Sequence, residues 1–94
     1  MTLLTSKLLK LFLKKNEYDI AVFNKKKEYD LALKDFNKAI RLNDKDGQYF
    51  MNRSYTNYFK ANKDAALKDA LQAKKLGFAV KNSYIEKVKN LKIE

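Results

Sequence analysis

The sequence predicts an all-α fold of antiparallel helix-turn-helix repeats, with about five helices following one another along the chain. Three observations predict it. The 94 residues contain no proline and only two glycines, Gly47 and Gly77, so helix formers such as Lys, Leu and Ala meet few turn formers. Apolar residues recur three and four apart, as at Leu33, Phe36, Ala39 and Ile40, which is the period of a helix buried on one side. One stretch also recurs at an offset of 34 residues, the mark of stacked like units.

Each element then follows in order. Nothing between about Leu3 and Lys26 breaks a first helix. A second is expected over Tyr29 to Leu42, a turn over Asn43 to Asp46, and a third helix from Gln48 to Lys60. The fourth spans Asp64 to Leu76, with Gly77 as a left-handed stop, and the fifth spans Ser83 to Leu91. A chain of this size supports one modest core, so residues 1–94 are expected to form a single domain. Within it, residues 1–12 read as a helical extension, 13–46 as a first repeat, 47–80 as a second and 81–94 as a capping helix.

The repeat rests on particular residues. Ala32-Leu33-Lys34-Asp35 returns as Ala66-Leu67-Lys68-Asp69, and Lys26, Asp30, Ala39 and Leu42 match Lys60, Asp64, Ala73 and Leu76. Glu28-Tyr29-Asp30, Ala32, Phe36 and Ala39-Ile40 together resemble the second helix of the tetratricopeptide repeat, a unit of 34 residues. Asn52-Arg53-Ser54 resembles the Asn-Arg-Ala of first helices in its chaperone-adaptor members. The resemblance covers about residues 13–76 and implies a curved α-solenoid closed by a last helix. The chain also departs from the pattern. Lys27 and Ala61 replace a frequent turn glycine, Asp44 and Phe78 stand where proline is common, and Ala70 takes the place of the bulky Phe36. Ile20 lies where a small residue is expected. An eleven-residue echo, Glu17-Tyr18-Asp19 against Glu28-Tyr29-Asp30, fits either a worn earlier repeat or one helix face three turns on.

Composition limits the chemistry. Cysteine and histidine are absent, which excludes disulfides, thiolate nucleophiles, the usual zinc ligand sets and imidazole acid–base catalysis. No glycine-rich phosphate loop or cluster of metal ligands stands out, so no enzyme, cofactor or metal is expected. The longest early apolar stretch, Leu8 to Leu13, is interrupted by Lys10 and falls well short of the roughly 20 residues of a membrane span. A soluble, cytoplasmic protein is expected.

The 21 basic residues outnumber 11 acidic ones and give a net charge of +10. Only Arg41 and Arg53 are arginines, which argues against bidentate reading of bases. An anionic surface, RNA or acidic lipid, would meet Lys14, Lys15, Lys25, Lys26, Lys27, Lys74 and Lys75.

The resemblance implies a different site, a concave groove lined by first helices and suited to a peptide or protein partner. Its positions here are Gln48, Met51, Asn52, Tyr55, Tyr58 and Phe59, which share one helix face. The matching positions are Lys14, Glu17, Ala21, Asn24 and Lys25 in the first helix, and Asn82, Ile85, Glu86 and Lys89 in the last. Family members that clamp a chaperone's C-terminal carboxylate use Lys and Asn from the first helix, Asn from the third, and Lys and Arg from the fifth. Only Asn52 matches that set; Glu17, Ala21, Asn82 and Glu86 occupy the other places. Acids there repel a carboxylate, which argues against chaperone tails. Self-assembly is a third possibility, because arrays generally need three or more repeats for stability.

Overall fold

The structure, a computed structural model, describes residues 25–92, and among these every regular element is a helix. There are four: α1 over 25–42, α2 over Gly47–Phe59, α3 over Lys63–Lys75 and α4 over Asn82–Lys89. The last three lie within about two residues of the spans expected from sequence. Expectations that fall on residues 1–24 lie outside the described residues.

One expectation fails. A turn between Lys26 and Tyr29 should separate two helices, yet residues 25–42 form one uninterrupted helix. The repeated copy shows why. At the equivalent place Ala61 adopts a left-handed φ of 61°, and the Asn62 side chain then caps α3 by accepting from the Ala65 amide at 3.4 Å. The first copy has Glu28 where the second has Asn62. Glutamate is a good helix former and a poor N-cap, so nothing stabilises a break there.

Two other boundaries follow from backbone chemistry. Asp46 starts α2 by accepting from the Gln48 amide at 2.9 Å. Gly77, at φ 91°, ends α3. Its amide donates to the Lys74 carbonyl and that of Phe78 to the Ala73 carbonyl, both at 3.0 Å, the paired closure of a Schellman stop. The end of α2 closes in the same way: Ala61 donates to Tyr58 at 2.9 Å and Asn62 to Asn57 at 2.8 Å.

The helices run antiparallel in sequence order. Tyr29 stacks on Phe59, Asp30 pairs with Lys60, and Asn37 meets Arg53, so α1 and α2 form a hairpin about the turn at 43–46. Arg53 reaching Asp69 and Ser54 reaching the Ala66 carbonyl do the same for α2 and α3. Ala66, Ala70 and Ala73 present a fully buried stripe of small side chains on α3. Where α2 begins, the backbones come closer still: a Cβ on Gly47 would stand 2.9 Å from the Phe78 Cβ and 3.1 Å from the Ala73 carbonyl oxygen.

Phe50, Met51 and Ala73 form the core, with Ile40, Leu76, Phe78, Val80 and Tyr84 packed around them. Burial also repeats at the 34-residue offset. Met51 and Ile85 are 2% and 6% exposed, and Ser54 and Val88 are both wholly covered. Thus α4 buries the face that α2 buries. Among the described residues no helix is long and apolar enough to cross a membrane.

Candidate functional site: an aromatic row across three helices

The middle helix carries most of the candidate groove residues, and the structure sorts them. Met51 packs inside the core beside Phe50, so its side chain offers no surface to a partner. Gln48 is exposed at the start of α2, and Asn52 is half-buried, with its carbonyl accepting from the Thr56 hydroxyl at 3.0 Å. Tyr58 is half-buried, whereas Tyr55 and Phe59 are 43% and 64% exposed. On α4, Asn82, Glu86 and Lys89 are exposed, and Ile85 belongs to the buried face. Lys14, Glu17, Ala21 and Asn24 lie outside the described residues.

The rings do not stand alone. Tyr29 of α1 stacks on Phe59 with centroids 6.1 Å apart, and Tyr58 meets the Phe59 ring edge-on at 5.6 Å. Tyr84 of α4 lies 6.1 Å from Tyr58 and 4.9 Å from Tyr55, in tilted and T-shaped contact respectively. Five rings from three helices therefore form one continuous row. Offset and edge-on contacts suit the charge distribution of aromatic rings and add rigidity to the area they bury. Sequence spacing found the α2 members; Tyr29 and Tyr84 enter only through tertiary packing.

Polar contacts hold the row from beneath. The Ser54 hydroxyl donates to the Ala66 carbonyl at 2.6 Å and shares a 2.8 Å hydrogen bond with the Tyr84 hydroxyl. Burial pushes the Tyr84 phenol above its ordinary range, and the bond to Ser54 partly opposes that shift. Arg53 makes the strongest polar link between helices. Its Nε and Nη2 donate to the two Asp69 oxygens at 2.8 and 2.7 Å, and its Nη1 donates to Asn37 at 2.9 Å. Donating to Asp69 holds the guanidinium more firmly in its charged form, and one side chain thereby ties α1, α2 and α3 together. Among the described residues every buried side-chain nitrogen or oxygen has a hydrogen-bond partner.

An open cleft of about 590 Å³ lies at the Tyr29 end of the row, lined by Lys26, Tyr29, Asp30, Phe59, Lys60 and Ala61. At the other side the Lys87 ammonium lies 5.5 Å from the Tyr58 ring centroid, within range of a cation–π attraction.

The alternative lysine surface is divided. Lys25, Lys26 and Lys27 are exposed beside the end of α2, where Tyr29 meets Phe59. Lys74 and Lys75 are exposed at the opposite end of the layer, where the end of α3 meets Gly47. The 13 residues of α2 separate them, a length of about 20 Å. The described lysines thus form two groups rather than one patch; Lys14 and Lys15 lie outside the described residues. Among the described residues no group of three or more acidic side chains converges as metal ligands would. No family model, curated protein or solved structure matches the chain.

Proposed function

We propose that this chain is a non-catalytic interaction module, an adaptor or scaffold that grips a peptide or protein partner on the aromatic row of α2. The observation that carries this reading is the exposure of Tyr55 and Phe59 inside a row whose other rings hold them in place. Large rings with few rotors supply contact area at little entropic cost, which is why they concentrate where proteins bind proteins.

The proposed architecture is a tetratricopeptide-like array of two repeats and a cap, with a fifth helix and a solenoid curve, working in the cytoplasm. Two features support it. Elements α2 and α3 fall where the second repeat requires them, and α4 repeats the burial of α2 at the same offset. The uninterrupted helix over 25–42 departs from that plan at the first repeat's turn. Within the array a chaperone tail remains disfavoured, because Glu86, paired with Lys89 at 3.6 Å, supplies no cation where the clamp needs one.

Affinity capture from a lysate, with and without nuclease, tests the reading. The wild-type chain should retain a protein partner through nuclease treatment. A Tyr55→Ala/Phe59→Ala variant of unchanged helicity should lose it. Capture that disappears with nuclease and ignores the variant would assign the work to the lysines instead.

A further inference from the structure

We infer that the aromatic row takes an extended acidic peptide, with apolar side chains two residues apart and carboxylates flanking them; this rests on reading the row as an interaction face. The first argument is spacing. Tyr55 and Phe59 are the exposed rings of α2, one turn apart, or about 6 Å along the axis. Alternate side chains of an extended strand recur every 6.6 Å or so on one side. Neighbouring apolar side chains of such a strand therefore meet the two rings in turn.

The second argument is charge. Lys26 lines the cleft beside Tyr29 and Phe59, and Lys87 stands over Tyr58. The nearby acids are engaged, Asp30 with Lys60 and Glu86 with Lys89 at 3.6 Å. A ligand on the row thus meets cations at both ends. That separates the candidates for occupancy. A second copy of the chain carries a net +10 and is repelled. Stretches of nucleic acid need open ring faces to stack on. Here Tyr29 and Phe59 stack on each other and Tyr55 and Tyr84 meet edge-on, while Arg53 is held by Asp69. An acidic peptide satisfies both the spacing and the charge.

Fluorescence anisotropy on the full chain tests this with three labelled probes: a peptide alternating Asp and Leu, the same peptide with Lys for Asp, and oligouridine RNA. The Asp-Leu peptide should bind saturably and the Lys-Leu peptide should not. Phe59→Ala and Lys87→Glu, both at exposed positions, should each weaken binding by about tenfold or more. Lys75→Glu, at the far end of the layer, should leave it unchanged. Equal binding of the Lys-Leu peptide or of RNA, still lost with Phe59→Ala, would overturn the acidic preference and keep the row. Asp-Leu binding indifferent to Phe59→Ala, or no binding of any probe, would overturn the row as well.

Discussion

Arg53 shows how much one side chain decides in a molecule this small. Its partner Asp69 is buried and accepts two hydrogen bonds from the guanidinium, and removing one member of a buried ion pair leaves the other without its partner. Arg53→Met should therefore cost about 3 kcal/mol, since it strands the buried carboxylate. Urea unfolding of the two chains would measure it, and an unchanged midpoint would show that Asp69 finds another partner. Ala61 is the opposite case. It holds a left-handed φ of 61° where a glycine would be unstrained, so Ala61→Gly should stabilise by about 0.5–1 kcal/mol. Gly77→Ala should lose about 1 kcal/mol for the same reason. Thermal melts of both variants, moving in opposite directions, would confirm the two turn conformations. Tyr84 adds a pH dependence. Its folded-state pKa is raised by burial, so its stabilising contribution is complete below the ordinary phenol value and is lost as pH rises through the folded one. Above a pH of about 10 the wild type should lose stability more steeply than Tyr84→Phe. Denaturant midpoints of the two chains on either side of that pH would show parallel lines if Tyr84 were solvated.

At the scale of the elements, caps decide where helices begin. Asp46 and Asn62 cap α2 and α3 with their side chains, whereas Lys81 precedes α4 without a capping hydrogen bond. Lys81 has the extended backbone that an N-cap requires, so Lys81→Asp should stabilise by about 1 kcal/mol. A raised melting temperature with increased helicity would be the sign; no change would mean that packing of Ile85 and Val88 alone sets the start of α4. The same caps explain what was legible in the sequence. The 34-residue echo located α3 because Ala32 and Ala39 return as Ala66 and Ala73, both buried, and the second copy adds the Asn62 cap and the Gly77 stop that bound the helix. It misplaced the turn before Tyr29 because Lys27-Glu28 keeps the spacing of the second copy but lacks its cap. Spacing on α2 named Tyr55, Tyr58 and Phe59 for the candidate face but included Met51, which shares their stripe and turns into the core. Periodicity identifies a stripe; only the position of the neighbouring helix says which edge of that stripe stays open.

For the whole molecule, the helices act as a frame that sets rings from α1, α2 and α4 side by side. Tyr29 and Tyr84 are 55 residues apart in the chain, and no local pattern joins them. Antiparallel packing brings both to α2. It also sends Lys25, Lys26 and Lys27 to one end of the layer and Lys74 and Lys75 to the other, so the large positive charge cannot act through one continuous patch of these lysines. The proposed binding of a partner on the aromatic row can be tested residue by residue. The direct measurement is a map of amide chemical shifts for the ¹⁵N-labelled full chain, titrated with the Asp-Leu peptide. The changes should centre on Lys26, Tyr29, Tyr55, Tyr58, Phe59, Tyr84 and Lys87. Changes centred instead on Arg41, Lys45, Lys74 and Lys75, with the row silent, would contradict it.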